Sequence, residues 1–175
     1  MNALRHRGPD DEGQWLSPSG TTGLGHRRLS VIDLETGTQP ITNEDGTIAV
    51  IVNGELYGFE DIRTRLEQRG HRFLTKSDSE IVVHLYEEMG EDCVHSLRGE
   101  FAFVLFDSNA DKLFAARDRF GIKPLFYAEY AGELLIASEA KALFAAGLPA
   151  TWNHAMISSR KQSRDRRVRR SSSRR

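Results

Sequence analysis

The sequence predicts a layered α+β domain, and three observations carry that reading. Residues 47–52 and 100–107 are apolar runs without polar alternation, as expected of strands covered on both faces. Residues 62–70 and 78–90 carry helical apolar spacing and end on glycine. Two turn signals, Ser108-Asn109-Ala110-Asp111 and Ala131-Gly132, each separate a pair of β-type runs.

Taken in order, residues 1–20 are polar and glycine-rich, and His6-Arg7-Gly8-Pro9-Asp10-Asp11-Glu12-Gly13 reads as loop. Residues 24–34 alternate like a strand around Leu29, Val31 and Ile32. Gly37, Pro40, Asn43, Asp45 and Gly46 make 36–46 a loop. The strand 47–52 is expected to end at Asn53-Gly54. Ile62, Leu66 and the stem of Arg69 share a helix face that Gly70 closes. Ile81, Val82, Leu85 and Met89 share another, opened by Ser77 and Glu80 at capping-box spacing and closed by Gly90. Residues 100–107 and 112–117 form one hairpin, 125–130 and 133–137 a second, and 139–146 a short helix stopped by Gly147. Two internally apolar sheets with helices outside are expected.

This domain occupies residues 1–150. Residues 151–175 lose apolar periodicity and become almost wholly Arg and Ser beyond 164, a composition too polar to order itself. The net charge of -1 hides the division. Residues 160–175 hold nine Arg or Lys and one acid, leaving 15 basic and 24 acidic residues, a net of -9, in 1–159. Such a tail can meet nucleic-acid phosphates, but it lacks interleaved aromatics, so a nucleic-acid role is not favoured. One cysteine, Cys93, excludes a disulfide framework and a CxxC metal site. The absence of a long apolar run points to a soluble, cytoplasmic chain with no membrane partner.

Asn53-Gly54 after a buried strand places a side-chain amide and a backbone N–H where they can converge on one oxygen, the requirement for stabilising an oxyanion. The Arg28 guanidinium suits a carboxylate. Asp78 at a helix start either meets a cation or caps. Equally, Asn53-Gly54 is a turn, Arg28 a surface ion-pair partner and Asp78 a helix-start residue.

The order of motifs weighs on that choice. His6-Arg7-Gly8-Pro9-Asp10, Gly25-His26-Arg27-Arg28-Leu29-Ser30, Gln39-Pro40, Asn53-Gly54-Glu55-Leu56-Tyr57 and Ser77-Asp78-Ser79-Glu80 come in sequence. Gly99-Glu100-Phe101-Ala102-Phe103, the stretch 116–125 and Ala137-Ser138-Glu139-Ala140-Lys141 follow. Together they closely resemble the glutaminase domain of glutamine-hydrolysing asparagine synthetase, a class II glutamine amidotransferase. The resemblance implies an N-terminal-nucleophile hydrolase fold, an αββα sandwich, here lacking its first strand. It implies that Arg28 holds the glutamine α-carboxylate and Asp78 its α-ammonium, with Glu55 assisting. Asn53 and the Gly54 N–H form the oxyanion hole. No cofactor is expected in this chain, since ATP and Mg²⁺ belong to the synthetase domain of the family, a partner that can be separately encoded. His6 and Arg7 carry no assigned step.

The family's nucleophile is a cysteine after the initiator Met, whose own α-amine is the base. Position 2 here is Asn, and no synthetase-type SGGxDS loop follows the domain. The chain therefore reads as part of a glutaminase domain, inactive as written. The alternatives are a non-catalytic glutamine-binding module and the glutaminase domain of another class II amidotransferase. Cys93 and Ser138 read as structural. His26, His71, His84, His95 and His154 show no paired ligand spacing, so structural or exposed roles and no metal site are expected.

Overall fold

The computed structural model describes residues 2–29 and 37–151. The expectations for 30–34 and for the Arg/Ser tail lie outside these residues. The frame is a four-stranded antiparallel sheet in the order β3-β4-β5-β6, formed by β3 (Ile41–Thr42), β4 (Ile48–Leu56), β5 (Gly99–Asp107) and β6 (Lys112–Arg117). Strand alternation divides its side chains between two cores. Val50, Val52, Phe101, Phe103 and Leu105 face α1 (Phe59–Gln68) and α2 (Ile81–Met89). Ala49, Ile51, Val104 and Phe106 face the opposite way, toward Trp15, Leu24, Leu125 and Ile136.

That second face is covered by two separate hairpins. One is β1 (Asp11–Leu16) with β2 (Gly23–Arg28), the other β7 (Phe126–Tyr130) with β8 (Glu133–Ala137). The hairpins share no ladder with each other or with the central sheet among the described residues. Beyond them lies α3 (Ala140–Ala145), which packs on β8 and on the 3₁₀ turn Asn2–Leu4. The layers therefore run helix, sheet, hairpins, helix, the expected αββα arrangement, with the second sheet split in two.

Several expectations are corrected, and the first is that residues 41–42, within the stretch 36–46 expected as loop, form strand β3 because they pair with Val50 and Ala49 of β4. Residues 11–16 form strand β1, although the segment reads as loop, because Asp11-Glu12-Gly13-Gln14-Trp15-Leu16 alternates exposed and half-buried positions against β2. The strand around 47–52 does not stop at Asn53-Gly54. β4 continues to Leu56 because β5 extends opposite it as far as Gly99, pairing Asn53 with Ala102 and Gly54 with Phe101. The capping box is half formed. Ser77 Oγ accepts the Ser79 N–H at 3.3 Å, but the Glu80 carboxylate turns back to the Leu74 and Thr75 N–H groups. A 3₁₀ turn, Asp78–Glu80, thus precedes α2.

The helices otherwise follow their apolar faces. Ile62 and Leu66 of α1 are buried, and Gly70 leaves the helix at φ 104°. α2 is buried around nearly its whole circumference from Ile81 to Tyr86, because the sheet lies on one side and α1 with the 71–76 loop on the other. Met89, expected on the buried face, is exposed, as it lies past the end of that cover.

Candidate functional site

A cleft of about 700 Å³ opens between β2 and β8, over the face of β4 and β5. Its walls include Arg28, Asn53, Gly54, Glu55 and Asp78, so all five residues singled out in the sequence share one cavity. They arrive from three elements. Arg28 ends β2, and its backbone carbonyl accepts the Asp10 N–H at 3.1 Å. Asn53, Gly54 and Glu55 are the late residues of β4. Asp78 opens the 3₁₀ turn and is buried.

Strand alternation turns Asn53 and Glu55 to the same side as Ala49 and Ile51, the side of the hairpins and the cleft. The Asn53 Nδ2 is buried and makes no hydrogen bond among the described residues. A buried amide N–H without an acceptor costs about 1–3 kcal/mol, and an oxygen entering the cleft could supply one. Gly54 sits at φ 143°, a conformation that favours glycine, and a Cβ there would lie 1.9 Å from the Glu100 carbonyl oxygen. Glu55 is exposed at the rim and directly opposite Glu100 in the ladder, a like-charge pair that Lys123 offsets with its Nζ 3.6 Å from Glu100.

Asp78 ties the turn to the strand. Its Oδ2 accepts the Leu56 N–H at 2.7 Å, and Oδ1 lies 3.4 Å from both the Ser77 and Ser79 hydroxyls. This fixes a carboxylate beside the end of β4, with Oδ1 holding only long contacts. Such an oxygen can receive an ammonium group.

Four further residues shape the cleft, and none of them was expected from the sequence to take part in it. Gln39, preceding a cis proline, lies beyond the short β3 and continues its edge by side chain alone. Its Oε1 accepts the Val52 N–H at 2.6 Å while its Nε2 donates to the Val52 carbonyl at 3.1 Å. His26 lines the cleft, and burial holds its imidazole below the usual range, with Arg28 pushing the same way against the Val52 carbonyl. It is therefore neutral near pH 7. Glu139 gathers His6, Arg7 and Lys141, at 3.2, 3.4 and 3.2 Å, and so fastens the His-Arg-Gly-Pro loop to the start of α3. The Asp118 carboxylate, meanwhile, accepts the N–H groups of Phe120, Ile122 and Lys123, shaping the loop that brings Lys123 and Leu125 to the cleft.

The one thiol is elsewhere. Cys93 is fully buried in the helix-side core, and burial pushes its thiol up to about 11. It is expected to resist iodoacetamide at mildly alkaline pH in the native chain and to react once urea unfolds the protein. Mass spectrometry reads the difference, and rapid native alkylation would contradict this placement.

The profile of the family "Glutamine amidotransferase domain" matches residues 1–166. The chain is 48% identical over 143 residues to asparagine synthetase [glutamine-hydrolyzing] 2 of Bacillus subtilis, covering 82% of this chain and 19% of that protein. It is 47% identical over 153 residues to amidase chry2 of Gibberella zeae, covering 87% and 23%. The chain thus spans about a fifth of the length of these relatives. Among solved structures, the glutamine phosphoribosylpyrophosphate amidotransferase of B. subtilis superposes with a TM-score of 0.68 at 21% identity, over 83% of this chain and 39% of that one. That likeness shows the N-terminal-nucleophile hydrolase fold. By sequence and by fold, the chain belongs to the glutamine amidotransferase domain family, as the kind of domain found in glutamine-hydrolysing asparagine synthetases.

Proposed function

We propose that the cleft binds glutamine by its α-amino and α-carboxylate groups and presents the side-chain amide to Asn53 and Gly54. The Arg28 guanidinium pairs with the α-carboxylate. Asp78 Oδ1 receives the α-ammonium, and Glu55 at the rim adds negative potential on the same side. In amide hydrolysis the attacked carbonyl oxygen gains charge as the tetrahedral intermediate forms, and donors already in place stabilise it without reorganisation. The Asn53 Nδ2 and the Gly54 N–H are those donors. The observation that carries the reading is the Asn53 amide, buried in the cleft wall with its N–H unused.

The family reaction converts glutamine to glutamate and passes ammonia to an acceptor. For a synthetase of the asparagine type the acceptor is aspartate, activated with ATP and Mg²⁺ in a second domain. The chain's similarity to such synthetases supports that assignment, and the acceptor chemistry belongs to that partner. Among the described residues no thiol faces the cleft, since the single cysteine is Cys93 in the opposite core. The 175-residue chain is accordingly expected to bind glutamine without hydrolysing it.

Calorimetry and an ammonia assay test this together. Glutamine is expected to bind, and Arg28→Ala and Asp78→Asn are each expected to weaken it about ten- to hundredfold, the worth of a charge-assisted hydrogen bond. No ammonia should appear above the buffer blank. Absence of glutamine heat at about 10 mM ligand would remove the binding assignment. Ammonia release abolished by a thiol alkylator would overturn the expectation of binding without turnover.

A further inference from the structure

On the far side of the central sheet from the cleft, four side chains from three segments converge. Glu44 comes from the turn before β4, His71 from the loop after α1, and His84 and Glu87 from α2. Each offers one ligand atom, and the four lie within 4.8 Å of one another. The His84 Nδ1 is 3.1 Å from Glu87 Oε2 and 3.7 Å from Glu44 Oε2. The His71 Nδ1 is 3.4 Å from the same Glu87 oxygen and 3.9 Å from Glu44 Oε1. Ligands about 2.0–2.1 Å from a tetrahedral ion stand about 3.3–3.5 Å apart, close to the two separations that share Glu87 Oε2, 3.1 and 3.4 Å, while Glu44 stands slightly farther off and faces the two imidazoles through different oxygens.

Each ligand is also oriented from behind. The Glu87 Oε1 accepts the Asn43 amide at 2.9 Å, which leaves Oε2 turned to the histidines. The Glu44 Oε1 accepts the Arg72 N–H at 2.7 Å, leaving Oε2 toward His84. The far nitrogen of His71, Nε2, lies 3.2 Å from Glu88 Oε1. The far nitrogen of His84 is buried, has no hydrogen-bond partner among the described residues and lies 3.7 Å from the Glu80 carboxylate. A carboxylate behind each imidazole, with the other ring nitrogen facing a shared point, is the second-shell pattern of metal-bound histidine. The His84 side chain is fully buried, and His71 is only 14% exposed. Two carboxylates and two neutral imidazoles would balance a divalent ion without residual charge.

We infer that Glu44, His71, His84 and Glu87 form a closed tetrahedral site for a divalent transition metal of the zinc type. Nitrogen donors from two histidines disfavour Mg²⁺ and Ca²⁺, which take oxygen. Four protein ligands leave no open position, so the role is structural. The ion would clip the turn before β4 and the loop after α1 onto α2. The sequence shows no such site because no two of the histidines and acids share a recognised ligand spacing, apart from His84 and Glu87 on one helix face. The site is independent of the glutamine reading, lying in the helix layer and not in the cleft.

The test uses the untagged 175-residue chain, stripped with EDTA and titrated with Co²⁺ and then Zn²⁺. Tetrahedral Co²⁺ gives intense visible bands that octahedral Co²⁺ lacks. Those bands are expected at one equivalent, to be bleached by Zn²⁺, and the melting temperature is expected to rise about 5–10 °C at a hundredfold excess over Kd. Glu44→Gln and His71→Ala, whose side chains are partly exposed, should keep the far-ultraviolet circular dichroism and lose the bands. Glu88→Gln should weaken affinity about 10- to 100-fold through His71. A Co²⁺ spectrum without tetrahedral bands, or bands undiminished in Glu44→Gln and His71→Ala, would overturn the site.

Discussion

Gly54→Ala is expected to destabilise the chain by about 4 kcal/mol or more, a large share of the ~5–15 kcal/mol that holds a domain together. The added methyl would lie 1.9 Å from the Glu100 carbonyl oxygen and 2.7 Å from the Phe101 Cα. Both are backbone atoms of the paired strand, so no side chain can swing aside. The backbone at φ 143° adds strain for any residue with a Cβ. Relief requires β4 and β5 to part where Gly54 faces Phe101, and Phe101 anchors the helix-side core. Gly99 is locked in the same way, its Cβ direction meeting the Glu55 carbonyl at 2.0 Å, so the strands approach unusually closely on both sides of the cleft residues. Urea unfolding followed by circular dichroism measures the loss. Glu55→Ala, one residue along and exposed, serves as control and should stay within about 0.5 kcal/mol. A Gly54→Ala chain within about 1 kcal/mol of the parent would show that β4 and β5 can separate there cheaply.

The same glycine shows what the sequence makes legible and what it hides. The runs that became β4 and β5 declare themselves because both faces are covered, so no polar residue interrupts them. The helices declare themselves through apolar spacing and terminal glycines. Asn53-Gly54 has the composition of a turn, and only the length of β5 opposite decides that it is strand. Local preference loses to pairing here. β1 stayed hidden for a related reason: it packs one half-buried face on its partner, and six residues of which three are polar and one is glycine give little signal. The five residues that share the cleft could be singled out only through the ordered motifs; composition alone left Asn53-Gly54, Arg28 and Asp78 with plain structural alternatives. Gln39 and the His71 side of the helix-layer cluster were not legible, because their partners stand 13 and more residues away and only the fold brings them near.

Removing the carboxylate of Glu80 is expected to cost about 3–5 kcal/mol as Glu80→Ala and about 2–3 kcal/mol as Glu80→Gln. This side chain is fully buried. Its Oε1 accepts the Leu74 N–H at 2.6 Å, and its Oε2 accepts the Thr75 N–H at 2.7 Å and the Thr75 hydroxyl at 2.5 Å. Glutamine keeps the volume but turns an NH₂ toward donors, so at least one contact is lost. Burial alone would raise the Glu80 pKa, yet His84, Thr75 and the two backbone donors bring it below the ordinary 4.5. A carboxylate whose pKa falls on folding stabilises the native state above its unfolded value, and that stabilisation disappears as pH drops through the folded value. The parent should therefore lose stability on acidification below about pH 4.5 more steeply than Glu80→Gln. Thermal melts in EDTA, which removes metal occupancy from the comparison, should show Glu80→Gln about 4–12 °C lower at neutral pH, with the two curves converging in acid. Equal melting at neutral pH, or parallel acid slopes, would refute the assignment. The consequence reaches the cleft, because Glu80 closes the 3₁₀ turn that begins at Asp78. Loosening that turn frees the Asp78 carboxylate from its register with Leu56, so Glu80→Gln should also weaken glutamine binding although Glu80 does not line the cleft.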